Sequence, residues 1–120
     1  MNVSLAYRRL LLAGYALLLV TLTHLPPRAL STIDIALWDK AKHAIAYALL
    51  ALLVAWARPA SVRTFGAAGA TWCAIALFAA ADEFTQPLVE RSMEGFDWIA
   101  DSLGAAAGLL VAALIMRRRA

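Results

Sequence analysis

Long apolar runs divide the chain into four segments separated by short polar stretches. They cover Leu10–Leu25, Ala44–Ala57, Phe65–Ala81 and Trp98–Met116. A helix needs about 20 residues to cross the hydrocarbon core of a bilayer. The second run reaches that length only if it begins at Asp39, and the third only if it continues to Gln86. The pattern therefore predicts four transmembrane helices, at approximately 8–25, 39–57, 65–86 and 97–116.

Helix-breaking residues fall between these predicted spans, at Pro26-Pro27, Pro59, Pro87 and Gly95. Arg8-Arg9 before an apolar stretch is also typical of a secretory signal, but no small-x-small cleavage pattern follows, which favours a retained first helix. Spans and short connections use almost the whole chain. The predicted fold class is an all-α integral membrane protein, a four-helix transmembrane bundle that forms one domain over residues 1–120.

Composition supports the membrane interpretation and excludes several others. Of 120 residues, 63% are hydrophobic and 16% charged, and the mean hydropathy is +0.73, values too apolar for a soluble globular domain or a disordered chain. A net charge of +3 does not indicate nucleic-acid binding, because the basic residues lie between apolar runs rather than along a solvated face. One cysteine excludes an internal disulfide and a multi-cysteine zinc site.

Basic residues are distributed unequally between the two sides that four spans would define. One side, with both termini and the connection after the second span, carries seven basic residues and no acid: Arg8, Arg9, Arg58, Arg63, Arg117, Arg118 and Arg119. The other side carries four basic residues, Arg28, Lys40, Lys42 and Arg91, and all eight acids. Because Lys and Arg concentrate in cytoplasmic loops, both termini are predicted to be cytoplasmic. We expect a multi-pass membrane protein with its acidic side outward.

Polar residues on three of the predicted helices are spaced so that each set lies on one helix face. The sets are Asp39, His43 and Tyr47; Asp82, Glu83 and Gln86; and Asp97 and Asp101. Ionisable groups within a membrane are costly and usually face the bundle interior or a wet cavity. We therefore expect the three sets to converge near the outer leaflet. Gly104-x-x-x-Gly108 continues the last face inward and is predicted to be a close-packing surface within the bundle.

Taken together and in order, these motifs resemble the VanZ-like membrane proteins, named after an accessory protein of teicoplanin resistance. The resemblance covers about residues 20 to 112 and rests on Asp39-Lys40-x-x-His43-x-x-x-Tyr47, Asp82-Glu83-x-x-Gln86, Arg91, Asp97 and Gly104-x-x-x-Gly108. It implies a four-helix protein of the cell envelope, sometimes tied to glycopeptide resistance, whose biochemical activity is not settled. Members commonly carry Asn where this chain has Asp101, so an anionic group replaces a neutral one.

Ten residues form the predicted binding site: Asp39, Lys40, His43, Tyr47, Asp82, Glu83, Gln86, Arg91, Asp97 and Asp101. Arg91 is expected to be a counter-ion of the acids or a clamp on an anionic headgroup. His24 ends the first span on the same side, but no helical spacing relates it to the others. No cofactor and no metal are predicted. A divalent ion on Asp39, His43, Asp82, Glu83 and Asp97 is geometrically conceivable, yet there is one candidate histidine ligand and two cations lie nearby.

Three function classes fit these residues to different degrees. The first is a binding module for a lipid headgroup, a lipid-linked cell-wall intermediate or a glycopeptide. The second is an enzyme on the same ligands, with His43, Asp39, Asp82 and Glu83 as catalytic candidates and His43 as the general acid/base. A covalent mechanism is disfavoured, since no Ser or Cys nucleophile is paired with a base. The third, a small four-helix transporter, is disfavoured because the first span contains no acid.

Overall fold

Helices account for nearly all of the structure. The computed structural model describes residues 2–25, 36–89 and 95–120, and these ranges contain no strand. The helices are α1 (Leu5–Thr23), α2 (Ala36–Ala57), α3 (Phe65–Thr85) and α4 (Gly95–Arg119), with 3₁₀ turns at Pro59–Val62 and Gln86–Val89. By length and composition, all four helices are able to cross a membrane. The predicted all-α architecture with four such helices is confirmed.

Side-chain caps and prolines set several helix ends. The hydroxyl of Ser4 accepts a hydrogen bond from the Tyr7 amide, and that of Thr64 accepts one from the Ala67 amide. Each cap satisfies one of the amides that a first helical turn leaves unpaired. Pro59 begins the 3₁₀ turn after α2, where its missing N–H removes no helical hydrogen bond. Helix α2 begins three residues before the predicted start at 39, so its first turn lies outside the apolar run.

The helices place acids at one end of the bundle and arginines at the other. The acidic end is defined as the end of the bundle at which α1 and α3 end and α2 and α4 begin. It carries Asp39, Asp82, Glu83, Asp97 and Asp101. The basic end is the opposite one, where Arg8 Nη1 donates to the Trp56 carbonyl at 3.2 Å and where Arg8 and Arg119 line one groove. The grouping of polar residues expected from the sequence is thus present in the fold.

Parallel helices α2 and α4 approach so closely that glycine is required between them. A Cβ atom built on Gly104 would lie 2.0 Å from the Ala44 carbonyl oxygen, and one on Gly108 would lie 2.4 Å from that of Ala48. Both obstacles are backbone atoms, which a side-chain rotation cannot move. The predicted role of the glycine pair as a packing surface within the bundle is confirmed.

Many large apolar side chains face outward, whereas many of the buried residues are small or polar. Leu17, Leu77, Phe84 and Leu103 are exposed, while Ala51, Ala79 and Ala105 have no accessible surface. A water-soluble bundle would show the opposite arrangement. In a bilayer, lipid chains solvate large apolar groups as well as a protein core does, and small residues let helices pack closely. The distribution is therefore the one expected of a bundle surrounded by lipid.

Candidate functional site

Four carboxylates are buried together at the acidic end. The exposed fractions are 4% for Asp82, 2% for Glu83, 6% for Asp97 and 0% for Asp101. Helix α3 supplies the first two residues and α4 the second two. Removing a carboxylate from water is costly unless it gains hydrogen bonds or a counter-charge. The partners of these groups therefore define the site.

His43 on α2 contacts both carboxylates of α4. Its Nδ1 lies 2.8 Å from Asp101 Oδ1, and its Nε2 lies 3.5 Å from Asp97 Oδ2. Because a carboxylate accepts, the shorter contact places a proton on Nδ1, an assignment made from the hydrogen-bond geometry. Sequence spacing placed His43 on one helix face with Asp39 and Tyr47. Its hydrogen-bond partner is Asp101, on the helix that the close glycine contact brings alongside.

Two lysines bring positive charge to the outer edge of the cluster. Lys40 Nζ donates to Asp97 Oδ1 and lies 3.7 Å from Asp39 Oδ2. Lys42 Nζ lies 3.5 Å from Asp39 Oδ1, with almost half of its side chain exposed. Lys40 is therefore the more deeply engaged cation, because its partner Asp97 is buried. Lys42 is the cation that remains accessible at the surface.

Helix α1 contributes two residues that the motif argument did not include. The Thr23 hydroxyl donates to Asp82 Oδ1 at 2.7 Å, and His24 Nδ1 lies 3.4 Å from the same oxygen. His24 Nε2 lies 2.7 Å from the Thr85 hydroxyl. The available signal was that both residues end an apolar run on the side where the acids lie. No periodicity links α1 to α3, so spacing alone did not identify them.

Tyr47 and Gln86 complete the inner part of the cluster. Gln86 Nε2 donates to Glu83 Oε1 at 3.3 Å. The Tyr47 ring packs against Phe78 with ring centroids 6.3 Å apart. Its hydroxyl is buried without a hydrogen-bond partner in the described part of the chain, and it lies close enough to Asp82, Glu83 and Asp101 to interact with all three electrostatically. The stripe predicted on α2 thus points into a common cluster.

Nine of the ten predicted binding residues lie at this end of the described structure. The tenth, Arg91, lies outside the described residues, so its expected role as a counter-ion stays a prediction. Among the described residues, two sets place one possible metal-ligand atom each within 4.8 Å of one another: Asp39, His43 and Asp97, and His43, Glu83 and Asp101. Both sets contain His43, which lies within 4.8 Å of carboxylate oxygens on α3 and on α4.

A groove leads from the outer surface of α1 and α2 to His43. It has a volume of about 290 Å³. Its walls are apolar towards the bundle middle, with Leu18 and Leu22, and polar at the acidic end, with Asp39, Lys42 and His43. Leu18 and Leu22 are each about half exposed. The groove can accordingly accept an amphiphile whose chain lies on the leucines and whose headgroup meets the polar cluster.

Fold and site together define a class: a small helical bundle of membrane-spanning dimensions, with a histidine–carboxylate cluster buried at one end. A family model described as VanZ/LLP1 matches residues 20–116, which is most of the chain. The chain belongs to the VanZ/LLP1 family, as the motif resemblance indicated. No curated protein and no solved structure gave a significant match.

Proposed function

We propose that this protein is a VanZ-family receptor in the bacterial inner membrane that binds a membrane amphiphile with an anionic headgroup at the outer leaflet. Lipid-linked cell-wall intermediates and anionic phospholipids share this chemistry, an apolar chain joined to a phosphate group. The acidic end faces outward in this proposal, because the arginines at the basic end favour the cytoplasm.

The groove between α1 and α2 is the single observation that carries the proposal. Within this one groove, which α1 and α2 line, an apolar surface continues to Lys42 and His43. Lys42 is half exposed and lies beside Asp39, so an anionic headgroup would meet an ammonium group at the mouth. The leucines that line the rest of the groove match the first part of a hydrocarbon chain.

Photocrosslinking tests this proposal directly. The full chain in lipid nanodiscs is exposed to a polyprenyl diphosphate sugar that carries a diazirine, and labelled peptides are mapped. We expect label on Leu18 or Leu22, and less label after Leu18→Trp, which fills the groove, or Lys42→Gln, which removes the cation. Leu17→Trp is the matched control, because Leu17 is exposed on the same helix but does not line the groove.

Competition identifies the source of the ligand. Unlabelled anionic phospholipid should compete fully if the headgroup phosphate alone is recognised, and weakly if the linked sugar is also bound. We expect no competition from teicoplanin. Competition by this glycopeptide would show that the groove binds a glycopeptide instead of a lipid. Equal labelling of the Leu18→Trp and Leu17→Trp variants would contradict binding in the groove.

An enzyme acting on the same amphiphile is a second candidate, favoured by one contact. His43 lines the groove while its Nδ1 donates to the buried Asp101, an arrangement that orients the imidazole and places its Nε2 3.5 Å from Asp97 Oδ2. Chromatography of the lipid-linked substrate after incubation distinguishes the two. Product formation that disappears in His43→Gln, while crosslinking persists, would establish turnover. Crosslinking without product would leave the receptor function alone.

A further inference from the structure

Three polar atoms buried near one another lack hydrogen-bond partners. The Tyr47 hydroxyl, Asp101 Oδ2 and Asp82 Oδ2 are buried without a hydrogen-bond partner among the described residues. Tyr47 is 1% exposed and Asp101 is 0% exposed, and the three groups lie within electrostatic range of one another. Buried polar groups normally have partners, because an unpaired one pays the full cost of leaving water. These atoms would therefore be stabilised by a polar or charged species bound among them.

Charge in the same region points to a cation. Asp82, Glu83 and Asp101 are buried within electrostatic range of Tyr47, and Asp101 and Asp82 also interact with each other. Anions packed this closely are destabilised unless a positive charge lies between them. The ammonium of Lys40 donates to Asp97 and lies 3.7 Å from Asp39 Oδ2, two acids at the outer edge of the cluster.

The two possible ligand sets are distinguished by that lysine. Asp39, His43 and Asp97 surround a position at which an ammonium group already contacts two of the three residues. In the other set, His43, Glu83 and Asp101, both carboxylates are almost fully buried, and Asp101 Oδ2 has no hydrogen-bond partner within residues 2–25, 36–89 and 95–120. The inner set is therefore the one with the chemistry of a metal site.

We propose that His43, Glu83 and Asp101 bind a divalent transition-metal ion. One imidazole nitrogen and two carboxylate oxygens are ligands that Mn²⁺, Fe²⁺ and Zn²⁺ accept, whereas Ca²⁺ and Mg²⁺ prefer oxygen alone. The ion would replace the proton on His43 Nδ1, and two carboxylates would balance its charge. Ligands on opposite sides of an ion lie about 4.2 Å apart at bond lengths of about 2.1 Å. The three possible ligand atoms lie within 4.8 Å of one another, so small side-chain rotations would bring them to that spacing.

Two of the ligand atoms already lie close together, since His43 Nδ1 and Asp101 Oδ1 are 2.8 Å apart. Mn²⁺ accepts both nitrogen and oxygen ligands and is paramagnetic, so it is the probe of choice. Each ligand comes from a different helix, so the ion would join α3 to the closely packed pair α2 and α4. The Tyr47 hydroxyl and Asp82 would then be available to hydrogen-bond water on the remaining coordination positions.

Manganese titration of the purified full chain tests the site without any lipid ligand. After removal of metal with a chelator, the protein in detergent is titrated with Mn²⁺, and the free ion is followed by electron paramagnetic resonance. We expect one bound ion per chain, and an affinity at least about tenfold lower in Glu83→Gln and Asp101→Asn. Asp39→Asn, which alters only the other ligand set, should retain the wild-type affinity.

Two further measurements separate loss of a ligand from loss of the fold. Circular dichroism and gel filtration identify variants that no longer fold, and two independent ligand variants keep the test decisive if one of them fails. Electron spin-echo modulation from a ¹⁴N nucleus should be present in bound Mn²⁺ and absent in His43→Gln. Stoichiometry below one in the wild type, loss of binding in Asp39→Asn, or bound Mn²⁺ without nitrogen coupling would each overturn the proposed site.

The metal site and the proposed receptor function can fail separately. Leu18→Trp, which blocks the groove, should not change Mn²⁺ affinity, because Leu18 lies outside the metal-ligand set. Crosslinking in the absence of metal binding would leave the receptor function intact and remove the metal. Metal binding without crosslinking in the groove would do the reverse.

Discussion

Several polar residues at the acidic end contact partners on other helices. His43 pairs with Asp101 across α2 and α4, Lys40 pairs with Asp97 across the same helices, and Thr23 reaches Asp82 from α1. Regular spacing along a helix identifies which residues share a face. It contains no information about what lies opposite that face. The spacing therefore identified most residues of the site, but it did not identify which of them contact one another.

The Thr23 contact gives a matched test at this scale. Thr23→Val should lower the free energy of unfolding by about 1 kcal/mol, because Asp82 loses a hydrogen bond from another helix while it stays buried. The control is Thr21→Val, since the exposed Thr21 hydroxyl bonds only the Leu17 carbonyl of its own helix. Unfolding of both variants in a detergent titration measures the difference. Equal stability of the two would show that the contact with Asp82 contributes nothing.

Helices attach to one another through different chemistry at each pair. Parallel α2 and α4 meet backbone to backbone at two glycines, whereas α3 joins α4 by two indole hydrogen bonds. Trp72 donates to the Ser102 carbonyl, and Trp98 donates to that of Ala76, each at 2.9 Å. Helix α1 is attached by Tyr15, whose hydroxyl donates to the Ala46 carbonyl at 2.7 Å. The α2–α4 pair is thus the rigid frame that holds His43 against Asp101.

Alanine at a glycine of this frame should separate the two helices. Gly104→Ala would place a methyl group 2.0 Å from the Ala44 carbonyl oxygen, and we expect a loss of about 3 kcal/mol, at the upper end for overpacking. Gly69→Ala is the control, because a Cβ there meets nothing within 4 Å. Detergent unfolding compares the two variants. Gly104→Ala should also weaken Mn²⁺ binding, and a variant as stable as Gly69→Ala would contradict the close approach of α2 and α4.

At the scale of the whole molecule, the net charge of +3 is the sum of two ends with opposite charge. The basic end carries seven arginines and no acid among the residues that the structure describes, and the acidic end carries five described acids, four of them buried. The long axis of 47 Å is comparable to a bilayer with its headgroups, about 40–45 Å thick. The charge difference predicts the direction of insertion, since Lys and Arg determine topology far more than acids do.

Reporter fusions test that direction. Bacterial alkaline phosphatase, active only outside the cytoplasm, should be inactive when fused after Ala120 and active when inserted in the connection at residues 90–94. A green fluorescent protein fusion after Ala120 should fluoresce. Loss of orientation after replacement of Arg117, Arg118 and Arg119 by glutamine would identify the basic end as its cause. An active phosphatase at Ala120 would place the acidic end in the cytoplasm and move the proposed ligand to the inner leaflet.

The amino-acid sequence was sufficient to predict the number of helices, their approximate ends and the residues that share a polar face. Apolar run length, helix breakers and four-residue spacing are local properties of the chain, so they do not depend on how the helices pack. The glycine pair also predicted close packing, because only small residues permit it.

Which polar groups meet depends on the tertiary structure. Helix rotation and crossing bring Asp101 to His43, add Thr23 and His24 from α1, and place Lys40 on Asp97. These choices depend on how all four helices pack at once, and a single helix does not contain that information. The same packing brings Glu83 and Asp101 close to His43 and buries the Tyr47 hydroxyl without a hydrogen-bond partner among the described residues. The metal proposal rests on these features.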